Sequence, residues 1–145
     1  YKRQYAYYEQ DLESRTFGVV VDTSGSMSAK QIGMALGSIA SYAAAKDVPF
    51  VRIIFCDAKA TDAGYLAPED IAGRVKVTGR GGTILQPGVD CLEQANDFPK
   101  DGPILIITDG EIENDLKIRR EHAFLLPRGN RLPFRARGEV FYFRE

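Results

Sequence analysis

Three short and almost uniformly apolar runs constrain this chain more than any other feature. They are Phe17-Gly-Val-Val-Val21, Phe50-Val-Arg-Ile-Ile-Phe-Cys56 and Ile104-Leu-Ile-Ile107. Runs of this length and apolarity read as strands covered on both faces rather than strands with one wet side. Helical patterns lie between them. Ile32, Leu36, Ile39 and Ala43 follow one another at steps of 4, 3 and 4, and Leu85, Val89 and Leu92 repeat in the same way behind an early Pro87. Strands that alternate with helices predict a doubly wound, mostly parallel α/β sheet with helices on both faces. At 145 residues the chain has the length of one domain, and a domain of that size buries roughly 70% of its unfolded surface.

The remaining segments follow from punctuation. Residues 1–15 are polar and Tyr-rich, with Tyr1, Tyr5, Tyr7 and Tyr8 clustered. They show no clear period and read as a lead-in from a longer chain, so the domain proper is expected over residues 16–145. Lys46-Asp47 closes the first helix and Pro49 prevents its continuation. Asp57–Glu69, rich in Ala, Asp and Gly, reads as a loop. Arg74–Thr78 alternates like a half-exposed edge strand. Glu111–Arg120 reads as a short helix, and Ala123–Leu126 and Val140–Phe143 as the last two strands.

Charge and cysteine usage exclude several classes. The 19 basic and 20 acidic side chains nearly cancel, so nothing in the total marks a nucleic-acid binder. The distribution is uneven: residues 117–145 carry 8 basic and 3 acidic groups, either a solvated surface or a patch for an anionic partner. No apolar run approaches the ~20 residues of a membrane span, so a soluble domain with no membrane partner is expected. Cys56 and Cys91 fit neither a zinc pattern nor a disulfide framework. They read as two buried free thiols, which together with the lack of a signal peptide points to the cytoplasm.

In open α/β sheets, ligands bind beyond the carboxyl ends of the strands, where the strand order reverses. The polar residues expected there are Asp22, Ser24 and Ser26 after the first strand, Thr83 ahead of the second helix, and Asp109 after the third apolar run. Two carboxylates and three hydroxyls form an all-oxygen set that suits a hard cation such as Mg²⁺. Gly25 permits the tight turn that lets Ser24 and Ser26 face one point. Taken singly, Asp22-Thr-Ser and Thr83 read equally well as helix caps, and Asp109-Gly110 as a turn.

Val21-Asp-Thr-Ser-Gly-Ser-Met27, Gly81-Gly-Thr83 and Ile107-Thr-Asp-Gly110 resemble the three motif segments of von Willebrand factor type A (VWA) domains. The resemblance runs over residues 16–145 and is nearest to bacterial intracellular VWA-like domains of unknown function, some of which follow a metallopeptidase-like domain. It implies a Rossmann-like six-stranded sheet with Arg74–Thr78 as the antiparallel edge. It also implies a metal-ion-dependent adhesion site. Ser24, Ser26 and Thr83 would offer hydroxyls to the cation. Asp22 and Asp109 would coordinate it or hold its waters, with Gly25, Gly82 and Gly110 supporting the loops. The ion would be Mg²⁺, with Mn²⁺ or Ca²⁺ as substitutes, and an Asp or Glu of a partner protein would complete it.

An enzyme is the rival class. Asp22 ends a strand as the nucleophile of haloacid-dehalogenase-like phosphatases does, but Ser24 stands where those enzymes place a second Asp. There is no Gly-x-Ser-x-Gly elbow, no His-Glu-x-x-His and no phosphate loop, and the lone His122 reads as structural or exposed. A protein-binding module rather than an enzyme is therefore the expectation.

Overall fold

The computed structural model describes residues 16–24, 26–74 and 84–144. The elements run β1 (Gly18–Asp22), α1 (Ala29–Ala45), β2 (Val51–Cys56), β3 (Ala60–Leu66), α2 (Pro68–Ile71), α3 (Gln86–Gln94), β4 (Ile104–Ile107), β5 (His122–Pro127) and β6 (Glu139–Phe143). They form one six-stranded sheet in the order β3-β2-β1-β4-β5-β6. All neighbours pair in parallel except β2 and β3. This is the doubly wound arrangement that the apolar runs predict.

The apolar strands lie where their composition requires. β1 and β2 are buried along their whole length. On one face Ile32, Leu36 and Ile39 of α1 and Ile71 of α2 pack against Val19, Val21, Ile53 and Phe55. On the other, Val89 and Leu92 of α3 pack against Val20, Ile54 and Ile106. Burying a Val, Leu or Ile side chain is worth about 1.5–3 kcal/mol, so these two layers dominate the stability. α1 opens with a capping box at Ser28, not at Asp22-Thr-Ser. The Ser28 hydroxyl accepts from the Gln31 N–H, and the Gln31 side chain accepts from the Ser28 N–H, both at 3.1 Å. At the other end Asp47 turns the chain in a left-handed conformation.

Three expectations are corrected. The predicted loop Asp57–Glu69 contains β3 and the start of α2, and β3 is the antiparallel edge. The edge was expected at Arg74–Thr78, of which residues 75–78 lie outside the described residues. Asp62 and Gly64 disguise β3 as a loop, and a tertiary contact overrides their poor strand propensity. Buried Arg52 of β2 donates from Nε and Nη2 to both Asp62 oxygens, at 3.0 and 2.5 Å, and lies over the Tyr65 ring. A bulge between Asp62 and Gly64 lets Asp62 reach it, and Gly64 supplies the positive φ that the bulge needs.

The predicted helix Glu111–Arg120 is instead an extended segment with a turn at Asn114-Asp115. Side chains of α3 supply the hydrogen bonds that a helix would have made internally. The Lys117 N–H donates to Gln86 Oε1 at 2.8 Å, the Lys117 carbonyl accepts from Gln86 Nε2 at 2.9 Å, and the Arg119 N–H donates to Glu93 at 2.9 Å. Ile112, Leu116 and Ile118 then pack on the α3 face of the sheet. No helix lies between β5 and β6 either. Finally, Cys56 is buried as expected, but Cys91 is only half-buried, and both thiols are free.

Candidate functional site

β1 and β4 are hydrogen-bonded neighbours, with Val21 level with Ile107. From β1 the chain order runs outward to β2 and β3 on one side, and from β4 to β5 and β6 on the other. The carboxyl ends of these two strands are thus the switch point, and they carry Asp22 and Thr108-Asp109.

Asp22 is fully buried. Its Oδ1 accepts from the Ser24 N–H at 2.9 Å, which folds the loop back over the strand end. Its Oδ2 accepts from the Thr108 hydroxyl at 2.8 Å, across the switch point. Burial pushes the Asp22 carboxyl above the usual carboxylate range. The Ser24 and Thr108 donors pull it back in part, and the charge of Asp109 pushes it further up. The Ser24 and Ser26 hydroxyl oxygens stand 2.9 Å apart, Ser24 buried and Ser26 exposed. Asp109 is almost fully buried, with Oδ1 accepting from the Glu111 N–H at 3.0 Å. Gly110 turns the chain away at a φ of 93°. A Cβ there would meet the Arg131 carbonyl oxygen, so the Asp109 loop is seated under the 128–138 segment.

The structure thus brings Asp22, Ser24, Ser26 and Asp109 to one end of the sheet. Thr83, Gly82 and Gly25 lie outside the described residues. The chain resumes at Ile84, whose N–H donates to the Asp57 carbonyl at 3.0 Å, just beyond the carboxyl end of β2. Among the described residues no three His, Cys, Asp or Glu side chains stand together. The candidate set here is the carboxylates of Asp22 and Asp109 with the hydroxyls of Ser24 and Ser26.

Two residues with a role here escape the sequence reading. Thr108 hydrogen-bonds Asp22 and also accepts from the Gly110 N–H at 3.1 Å, so it holds both acidic loops in place. Its position just before Asp109-Gly110 was the available signal. Glu113 accepts from the Leu85 and Gln86 N–H groups at 2.8–3.0 Å and caps α3 from a distant segment. No local pattern announces that contact. His122 is half-buried, with Nδ1 2.8 Å from the Arg120 carbonyl, far from the switch point.

A doubly wound sheet in this order, with acid and hydroxyl side chains at its switch point, defines a VWA-like α/β domain. The chain belongs to the family described as VWA-like domain (DUF2201), which matches residues 17–121. Among solved structures, an aerotolerance-related membrane protein from Bacteroides fragilis aligns with a TM-score of 0.59 at 15% identity, over 88% of this chain and 90% of that one. Proximal thread matrix protein 1 from the mussel byssus aligns with a TM-score of 0.59 at 11% identity, over 88% of this chain and 43% of that one. At these identities the likeness is one of fold. A search of the curated proteins finds no match to this sequence. No helix among the described residues is long and apolar enough to cross a membrane.

Proposed function

We propose that this domain holds a divalent cation at the carboxyl ends of β1 and β4 and uses it to bind an acidic side chain of a partner protein. The observation that carries this reading is that buried Asp22 and Asp109 share the carboxyl ends of neighbouring β1 and β4 with the hydroxyls of Ser24 and Ser26, which hydrogen-bond each other at 2.9 Å. An all-oxygen donor set of this kind suits a hard cation, Mg²⁺ first, with Mn²⁺ or Ca²⁺ as substitutes.

In this reading Ser24, Ser26 and Thr83 hold the ion. Asp109 faces it directly or through water. Asp22 keeps both oxygens on Ser24 and Thr108 and acts through the loop it orders. The bound cation supplies positive charge for a hard anionic ligand. The protein contributes few direct negative ligands, so that charge is not cancelled, and an Asp or Glu of a partner is the natural complement. The engagement of both Asp22 oxygens also favours binding over catalysis, because a carboxylate held by two donors is a poor nucleophile. The two free thiols suit a reducing cytoplasm.

Calorimetry with Mg²⁺, Mn²⁺ and Ca²⁺ on the wild type and on Asp22→Ala tests the metal, and unchanged binding in the variant would sink the assignment. Capture of partners with Mg²⁺, with a chelator, and with Thr83→Ala tests the interface. Loss of the charge-assisted contact should cost about 2–5 kcal/mol of binding. Equal capture in all three would place the interface elsewhere.

A further inference from the structure

Four of the eight basic side chains of residues 117–145 line one cavity. It lies on the α3 side of the sheet, has a volume of about 580 Å³, and has Phe124 of β5 at its base. Leu116-Lys-Ile-Arg119 and Phe134-Arg-Ala-Arg137 border it, and the two stretches share one pattern. Leu116, Ile118, Phe134 and Ala136 are half-buried against the core, while Lys117, Arg119, Arg135 and Arg137 between them are exposed. Among the described residues no Asp or Glu lines the cavity, and none of these four cations makes an ion pair. Arg52 and Arg120, both largely buried, each pair with a carboxylate. Like charges held together without a counter-ion repel, and an anionic ligand relieves that repulsion.

We infer that the cavity is a docking cleft for an acidic and partly apolar segment of a partner protein, bound in extended conformation. Its volume falls among those of ligand sites, about 300–1,000 Å³. The base is apolar and fixed: His122 and Phe134 both meet the Phe124 ring edge-on, at 5.5 and 5.7 Å. An apolar base between two cationic rims matches a chain that alternates apolar and acidic residues, because alternate side chains of an extended chain face opposite ways.

Backbone chemistry favours a peptide over a small anion. The Lys117 N–H and carbonyl bond to Gln86, and the Arg119 N–H to Glu93, all toward α3. In an extended stretch the groups of the intervening residue point the other way, so the Ile118 N–H and carbonyl face the cleft. Among the described residues nothing bonds to either, and an added peptide strand would. A nucleic acid fits less well, since it needs a long basic stripe and this chain carries a net charge of −1. His122 is level with Ile104 at the amino end of β4, whereas Asp22 and Asp109 stand at the carboxyl ends of their strands. The cleft is thus a second surface, and it does not depend on the metal.

The test is fluorescence anisotropy on the full chain with a labelled Leu-Glu-Leu-Glu-Leu-Glu peptide. A chelator is present throughout, so that the peptide cannot be held through a cation at Asp22 and Asp109. Binding should saturate, and it should weaken as salt rises. Arg119→Glu/Arg135→Glu should weaken it at least about tenfold, because two attractions become repulsions. Lys117→Glu/Arg137→Glu, the second pair on the same two rims, should do the same. All four side chains are exposed, so both variants should unfold at the wild-type temperature. A Ser-Glu peptide of the same length should bind at least about fivefold more weakly, since it leaves the apolar base uncovered. The inference is overturned by a lack of saturable binding, by equal binding to wild type and both variants, or by equal binding of the Ser-Glu peptide. ATP that binds more tightly than the peptide, and is lost in the same variants, also overturns it and assigns the cleft to a phosphate ligand.

Discussion

The Thr108 hydroxyl donates to the Asp22 carboxylate at 2.8 Å, joining residues that are 86 positions apart in the chain. The bond spans the boundary between β1 and β4, where the two halves of the sheet diverge. It couples the loop that carries Ser24 and Ser26 to the loop that carries Asp109, since Thr108 also receives the Gly110 N–H. Replacing Thr108 by Val keeps the shape and removes the donor. The expected loss is about 1–3 kcal/mol in urea unfolding, with the Asp22 carboxyl pushed still further up. Thr108→Ser should recover most of it. Wild-type stability in Thr108→Val would mean that the bond contributes nothing.

Two glycines offer a matched comparison. Gly110 and Gly129 have similar φ values, 93° and 96°, but a Cβ at Gly110 would lie 1.9 Å from the Arg131 carbonyl oxygen, while nothing lies within 4 Å of one at Gly129. Gly129→Ala should cost about 1–2 kcal/mol, the left-handed backbone penalty alone. Gly110→Ala adds a backbone clash and should cost more than about 3 kcal/mol or prevent folding. Thermal unfolding separates the two, and equal losses would show that the close approach is not rigid.

Glu113 caps α3, a helix whose own N-cap position, Leu85, makes no side-chain capping bond. Glu113→Ala should destabilise the protein by about 1–2 kcal/mol, and Glu113→Gln by less, because a neutral oxygen still accepts. Hydrogen exchange at the Leu85 and Gln86 amides should rise first. Unchanged exchange there in Glu113→Ala would rule out the cap.

The Arg52–Asp62 pair sets an acid limit on β3. The Arg52 guanidinium holds the Asp62 carboxyl below its ordinary value of 3.8. A carboxyl lowered in the folded state stabilises the fold fully above its unfolded pKa and loses that contribution as pH falls through its folded one. The contribution is therefore whole at neutral pH and lost only in acid below about 4. Asp62→Asn should cost about 2 kcal/mol at neutral pH, leaving Arg52 with Asp97 as its remaining partner. Its unfolding free energy should also fall less steeply than that of the wild type below pH 4. Parallel curves would show that Asp62 does not hold the edge strand.

Much of this molecule was legible in short stretches of chain, because the physics there is local. Burial on both faces needs runs such as Val19–Val21 and Ile104–Ile107, an amphipathic helix needs the spacing of Ile32, Leu36 and Ile39, and a strand ending at Asp22 followed by Ser24 and Ser26 places three polar groups within one turn of each other. The tertiary structure decided what depends on distant partners. β3 is a strand because Arg52 reaches Asp62, and residues 111–120 are extended because Gln86 and Glu93 of α3 supply bonds that a helix would have made within itself. Thr108 meets Asp22 only because β4 lies beside β1. The physical divide is that periodicity and turn chemistry act between neighbours in sequence. A buried donor instead takes whichever acceptor the packed layers bring within about 3 Å, and that partner is known only once the chain has folded.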